Sequence, residues 1–444
     1  MVKKVDTAIV KLWGDTVGAV SWLDDRGYGI FEYDPDFIKK GLDVSPIHMS
    51  LEEARNGDGI FSFPSLNNET FLGLPGMLAD ALPDKFGNNI IDAWLARNGR
   101  DSASFSPVER LCYTGKRGMG ALEFLPSVMN KHDASVAVEV SELVQLAQQI
   151  MQQRKALDVQ IDTRTSRTEH ENAEAILDIL RVGTSAGGAR PKAVIALDDK
   201  GNVMSGQADA PKGYDYWLLK FDGVTDLELG EPPKEGEGYG RIEYAYYLMA
   251  KAAGINMMQC QLLEEKGRAH FMTRRFDRVN GKKLHMQTLC GIAHYDFNMA
   301  GAYSYEQVFA VMRRLRLSKA DAAEQYRRMI FNIVARDLDD HTKNISFLMD
   351  AEGKWKLSPA YDVIYAHNPA GKWTNQHQMS LNGKRDHFTR EDLIYIGESI
   401  SLSRTEEMIN EVIRAVEKWS DFAKEAGIKK GIVQNISKHH RTGY

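Results

Sequence analysis

The chain has 444 residues, is 43% hydrophobic and 9% aromatic, and carries a formal net charge of -5 with a pI near 6.2. That length and apolar content suit two or three domains with proper cores and exclude a largely disordered chain, while the acidic balance gives no global pull toward nucleic acid or anionic membrane, so any DNA contact is expected to come through a partner. No apolar run approaches the ~18 residues of a membrane span, the start MVKKVDTAIVKLWGD is too interrupted by Asp6, Lys11 and Asp15 to read as a signal peptide, and Cys112, Cys260 and Cys290 form no C-x-x-C pair, as expected of buried thiols in a reducing cytoplasm.

Residues 5–33 are rich in Val, Ile, Trp, Tyr and Phe and broken by Gly and Asp, which predicts a small antiparallel sheet. Residues 76–99 carry helical spacing, with Ile90, Ile91, Trp94 and Leu95 on one face and Gly99 as the C-cap. The glycines of "GKRGMGALEF" read as a turn into the strand "ALEFLP" rather than a phosphate loop. An amphipathic helix is expected over 138–156, followed by the polar connection "DTRTSRTEHENA" and a domain boundary. From 177 a mixed β-rich lobe with one helix at 240–253 is expected, and after about 300 the pattern is mostly helical. The resulting division is 1–130, an N-terminal subdomain; 131–175, helix and linker; 176–280, a β-rich lobe; and 281–444, a helical lobe.

Four elements carry chemistry. Gly183-Thr184-Ser185-Ala186-Gly187-Gly188-Ala189-Arg190-Pro191-Lys192 is a small-residue loop whose backbone N–H groups can cradle an anion; a plain glycine-rich hairpin explains it equally well. In "YDYWLLKFDG", alternation puts Lys220 on a strand face with Tyr216 and Leu218, and Glu243 near the start of the next helix is its natural charge partner. An edge-strand lysine reaching water is the bland alternative.

The third element, "DDHTKN", follows a buried helical stripe of Tyr326, Met329, Ile330, Ile333 and Val334. Asp339 and Asn344 have the D-x-x-x-x-N separation of a kinase catalytic loop, where a carboxylate takes a hydroxyl proton and an amide oxygen ligates a hard cation. Lys343 is then placed to meet phosphate charge. The fourth is Asp362, which its flanks Tyr361, Val363 and Ile364 would bury; a Mg²⁺ shared with Asn344 would partner it, and a helix N-cap is the competing role. Glycine loop, strand lysine, helix glutamate, D-x-x-x-x-N and late aspartate follow the order of a two-lobed kinase.

"GTSAGGARPKA", "LLKF", "RRFDR", "DDHTKN" and "YDVI", with "LPDKFGN" and "GKRGMGALEF" upstream, resemble the HipA-like serine/threonine kinases, the toxins of bacterial toxin-antitoxin modules, over nearly the whole chain. The resemblance implies an α+β, two-lobed, protein-kinase-like fold with an extra small N-terminal β-rich subdomain and a mostly helical C-terminal lobe. It implies ATP and Mg²⁺ as cofactors, Asp339 as catalytic base, Asn344 and Asp362 as metal ligands, and Lys220 on the nucleotide phosphates. Arg274 and Phe276 would lie beside the adenine, with Arg274 departing from the glutamate of some members, and Gln287 would contact the adenosine. Ser185, Ala186, Gly187, Gly188, Ala189 and Lys192 would line the phosphate site. His341, Lys343 and Tyr361 complete the cofactor side, His341 by building the loop rather than ligating metal. Ser185, with Thr184 as an adjacent acceptor, would be autophosphorylated, and the added charge would expel ATP phosphates from the loop. The implied partners are a small helix-turn-helix antitoxin of HipB type, which would carry any DNA contact, and a protein substrate such as an aminoacyl-tRNA synthetase, the glutamyl enzyme above all.

Two rival readings stay open. A metal-dependent phosphoesterase could use Asp339, Asp340, His341 and Asp362 as ligands, and a non-catalytic co-repressor could act only beside an antitoxin.

Overall fold

The computed structural model describes residues 4–97, 99–127, 137–145, 147, 191–206, 209–223 and 238–444. Near the N-terminus, β1 (Thr7–Leu12), β2 (Asp15–Leu23) and β3 (Tyr28–Tyr33) form an antiparallel meander, extended by β4 (Ile60–Phe61) and β5 (Leu122–Leu125) into the order β4-β3-β2-β1-β5. The turn between β1 and β2 is Trp13-Gly14, both at positive φ (50° and 91°), the geometry that lets a two-residue hairpin follow the strand twist. "GKRGMG" is a turn into β5, as expected, and Gly120 sits there at φ 75°.

The helical stretch expected over 76–99 is interrupted. A single turn, Gly76–Ala79, is followed by α1 (Lys85–Arg97), because Pro83 cannot continue a helix. Asp84 caps α1, accepting from Gly87 N at 2.7 Å. Phe86, Ile90, Ile91 and Leu95 of α1 are buried, and Gly99 is left-handed at φ 68°. Trp94's side chain lies outside the described set. Next comes α2 (Pro107–Thr114). Residues 140–145 and 147 are helical, as expected, while 138 and 139 are not; the rest of the span expected to 156, the polar connection and the loop 183–190 lie outside the described residues.

The second sheet has the order β7-β6-β8-β10-β9, built from β6 (Lys192–Leu197), β7 (Val203–Ser205), β8 (Asp215–Lys220), β9 (Cys260–Glu265) and β10 (Arg268–Arg274), with every pairing antiparallel. Alternation on β8 is as read: Trp217 and Leu219 are buried while Tyr216, Leu218 and Lys220 are half-buried. One face packs on α1 and on Leu143, Val144 and Ala147, in a cluster with Ala193, Ile195, Trp217, Leu219 and Met272.

Beside β10 runs α3 (Tyr239–Ala252). Their approach requires Gly240, because a Cβ there would lie 2.0 Å from Ala269 O.

A two-stranded ribbon, β11 (Arg278–Val279) and β12 (Lys282–Lys283), leads to the C-terminal lobe. This lobe holds α4 (Leu289–Ala293), α5 (Tyr305–Arg314), α6 (Lys319–Ala335) and α7 (Thr405–Glu417) around a small sheet, β13 (His285–Thr288), β14 (Ser346–Met349) and β15 (Trp355–Leu357). The core of α6 is its fully buried run Met329, Ile330, Phe331, Ile333 and Val334. The architecture is thus the expected α+β one, with a β-rich N-terminal unit, a β-rich lobe and a mostly helical lobe. Among the described residues no helix is long and apolar enough to cross a membrane.

Candidate active site

Lys220 is the last residue of β8, where it is in register with Phe271 of β10 and Lys192 of β6. Its Nζ lies 2.5 Å from Glu243 Oε1 on α3 and also bonds Asp362 Oδ1. Burial disfavours its charge, but the Asp362 and Glu243 carboxylates more than offset this and hold the ammonium above its ordinary range. The lysine is therefore no edge residue reaching for solvent. It is 13% exposed at the side chain and bridges two acids.

The "DDHTKN" loop is shaped by the end of α6. Arg336 takes the left-handed conformation (φ 60°) and its N–H bonds Asn332 O, so the chain leaves the helix abruptly. Asp339 O then accepts from both His341 N (2.9 Å) and Asn344 Nδ2 (2.8 Å). These two bonds fold the loop around Asp339 and leave the Asn344 amide oxygen as the atom available to a cation. Asp339's side chain is 44% exposed. His341 Nε2 stands 3.9 Å from Asp339 Oδ1, its ring near Phe297, and Lys343 Nζ lies 4.5 Å from the same ring's centroid.

Asp362 sits at φ 55°, and no helix begins after it, since the next is Arg390–Ser399; the N-cap reading is excluded. Tyr361 joins it to the loop, donating its hydroxyl to Lys343 O at 2.6 Å, and its ring lies 5.5 Å from that of Phe276. Asp337, Asp339, Asp340, His341, Asn344, Tyr361 and Asp362 line one cleft. The oxygen donors of Asn344 and Asp362 are the hard ligands that suit Mg²⁺. The crowding of carboxylates has a visible consequence at Asp337: burial, followed by the neighbouring Asp339 charge, pushes its carboxyl well above the usual range, and its Oδ1 is buried without a hydrogen-bond partner.

Several expected residues stand elsewhere. Lys192 Nζ is 3.2 Å from Asp84 Oδ2, both buried, so its charge is matched by the "LPDKFGN" segment. Arg274 pairs with Asp215 at 2.5 Å in a half-exposed position. Gln287 is 1% exposed, its amide nitrogen bonds Val44 O and lies 3.0 Å from His285 Nε2, and it borders a separate depression with Met77, Asp80, Met286 and Thr288. Ser185, Ala186, Gly187, Gly188 and Ala189 fall outside the described residues.

Sequence reasoning missed the roles of Asp337 and Asp340. The signal for Asp337 was the third acid in "RDLDD". Asp340 has its carboxylate fully committed: Oδ2 accepts from Tyr305 Oη (2.7 Å) and His377 Nδ1 (2.9 Å), Oδ1 from Gln378 N (2.7 Å). With Asp340 so occupied, the phosphoesterase set of Asp339, Asp340, His341 and Asp362 is not assembled, and among the described residues no three His, Cys, Asp or Glu side chains are grouped to hold a metal.

Residues 8–125 match the family model of the HipA N-terminal domain and residues 184–420 that of the HipA-like C-terminal domain. A Sinorhizobium fredii protein named "Putative kinase Y4mE" is 24% identical over 227 residues, which make up 49% of this chain and 48% of that protein. A Haemophilus influenzae protein named "Putative kinase" is 23% identical over 257 residues, 50% of this chain and 75% of that one. The chain thus spans about half the length of the first relative. Among solved structures, the Shewanella oneidensis MR-1 toxin-antitoxin complex of HipA, HipB and operator DNA contains a chain similar at TM-score 0.64 and 15% identity, over 97% of this chain and 95% of that one, a likeness of fold.

Proposed function

Because this chain belongs to the family defined by the HipA N-terminal and HipA-like C-terminal domains, we propose that it is an ATP- and Mg²⁺-dependent serine/threonine protein kinase that acts as a bacterial toxin. The observation that carries this reading is Lys220, which joins helix glutamate Glu243 and late aspartate Asp362 at one point. A phosphate-binding lysine aimed by a helix glutamate is a kinase arrangement.

In this reading Asp339 orients the acceptor hydroxyl and takes its proton; the half-exposed carboxylate is accessible, and its backbone is fixed by His341 and Asn344. Lys220 binds the nucleotide phosphates, and Glu243 keeps its ammonium on the cleft side. Phe276 and Tyr361 offer ring surface to the base. Mg²⁺, held by Asn344 and Asp362, would neutralise phosphate charge during transfer. Lys343 stays close to the loop over Phe297, available to the same charge.

Ser185 is proposed as the autophosphorylation site, since a phosphoserine carries about -1.5 to -2 charge and competes with ATP phosphates for the same backbone nest. The family and the fold likeness support a small antitoxin of HipB type as partner, with DNA reached through it. An aminoacyl-tRNA synthetase is the protein substrate to offer first.

The test is incubation with γ-labelled ATP and Mg²⁺, wild type beside Asp339→Ala. Label on protein in the wild type alone, with a phosphorylated peptide within residues 181–192, is the expected result. Equal label in both proteins, or release of free phosphate from simple monoesters, overturns the assignment.

A further inference from the structure

Asp340 adjoins Asp339 at the cleft, and its side chain is 1% exposed. Its three hydrogen bonds come from distant parts of the chain. Tyr305 belongs to α5, and its hydroxyl accepts from Asn332 Nδ2 of α6 at 3.2 Å, which directs its own proton to Asp340. His377 and Gln378 belong to the segment that follows Asp362.

That segment is tied down around the same point. His377 N donates to Arg385 O (3.1 Å), and Arg385 Nε returns a bond to His377 O (2.8 Å). Gln378 O accepts from Gly301 N (2.7 Å), and Gln378 Nε2 bonds the carbonyl of Trp373. Trp373, whose carbonyl Gln378 holds, and Met299, two residues before Gly301, are two of the large apolar side chains that remain exposed (38% and 53%). One buried carboxylate connects them to the residue after Asp339.

We propose that Asp340 is the positioning residue that holds the segment 368–388, whose Met379 lines the cleft, in register with Asp339. The proposal rests on the kinase reading above. The carboxylate is suited to this because all three of its neighbours are donors. Burial opposes its charge, and His377, Tyr305 and the Gln378 amide more than compensate, keeping the acid ionised below its usual range. An asparagine has the same shape but loses the charge and turns one acceptor oxygen into a donor, so His377 must change tautomer and Tyr305 must turn its proton away, or a donor meets a donor. The segment is released while the nucleotide contacts at Lys220, Glu243 and Asp362, which share no hydrogen bond with this group, remain.

The experiment compares wild type, Asp340→Asn, His377→Ala, His377→Asn and Tyr305→Phe, measuring label transfer from γ-labelled ATP to the protein itself and to dephosphorylated casein. Asp340→Asn and His377→Ala are expected to lower kcat by about tenfold or more, the scale of a displaced reacting group, with the KM for ATP within about twofold of wild type. His377→Asn, whose amide can replace the Nδ1 donor, should recover most of the loss. Tyr305→Phe keeps the ring and removes one donor, so it carries the test should Asp340→Asn fail to fold; a kcat several-fold lower is expected. Wild-type kcat in Tyr305→Phe and Asp340→Asn, no recovery in His377→Asn, or a KM for ATP that rises in step with the loss of kcat overturns the proposal. If wild type transfers no more label than Asp339→Ala, it is the kinase reading that fails.

Discussion

Lys220 at the end of β8 reaches Asp362, 142 residues later in the chain, while holding Glu243 at 2.5 Å on α3. The lysine is the cation of a three-residue group whose other two members are acids. Lys220→Met therefore removes the phosphate contact proposed for it and leaves two acids facing each other. Label transfer from γ-labelled ATP should fall by about 100-fold or more. The fold should lose about 3 kcal/mol, since breaking a buried ion pair from one side strands its partner. Lys220→Arg should not rescue activity, because the planar guanidinium cannot reproduce a compact charge between two carboxylates. Thermal denaturation and the labelling assay check the two halves separately.

The position of Glu243 depends on a residue three places earlier. With a Cβ at position 240 lying 2.0 Å from Ala269 O, Gly240→Ala forces α3 off β10, and backbone cannot yield as a side chain would. The expected cost is about 1–3 kcal/mol of stability, typical of overpacking. The KM for ATP should rise several-fold as Glu243 withdraws from Lys220. A melting curve together with ATP titration tests this; an unchanged KM would show that α3 accommodates the methyl without moving Glu243.

What the sequence made legible was whatever depends on local period or spacing. Alternation on β8 placed Lys220 correctly, the apolar stripe of α6 led to the loop, and Asp339 and Asn344 do join through a backbone carbonyl. Pairings across long separations were legible only where charge demanded them: Lys220 needed an acid, and Glu243 was the nearest one on a helix. Nothing local announced that Asp340 would bond His377, 37 residues on, or that Lys192 would spend its charge on Asp84. In the "RRFDR" motif only Arg274 and Phe276 were expected to have a role, beside the adenine. Its other three residues, Arg275, Asp277 and Arg278, form a buried knot with the N-terminal unit, because the glycines of "GKRGMG" expose backbone groups that a charged cluster can satisfy.

That knot is centred on Asp277, which is fully buried and accepts from Arg275 Nε (2.9 Å) and Nη2 (2.7 Å), Arg278 Nη1 (2.6 Å) and Gly120 N (2.7 Å). Burial works against the charge, but Arg275 and Arg278 carry the acid far below the ordinary carboxylate range. A depressed acid contributes stability above its unfolded pKa of about 3.9 and loses it as pH falls through the folded value. Asp277→Asn should therefore cost about 3–5 kcal/mol at neutral pH, from two guanidinium groups left buried without their carboxylate. The difference in melting temperature between wild type and variant should narrow as pH is lowered below about 4.

Asp337 has the opposite sign. Burial first and the charge of Asp339 second raise its carboxyl well above the usual range, and its one hydrogen bond is from Ile364 N at 3.2 Å. A raised acid binds its proton more tightly folded than unfolded, so stability declines as pH rises from about 3.9 toward the folded value. An asparagine retains an oxygen for Ile364 N and carries no charge to lose. Asp337→Asn should thus melt higher than wild type at pH 7.5, by about 2 °C or more, the scale of roughly 1 kcal/mol in a large domain, and the gain should shrink toward pH 4. If the variant melts lower at both pH values, Asp337 is held ionised by a cation or donor, and the carboxylates of the cleft are less crowded than their arrangement implies.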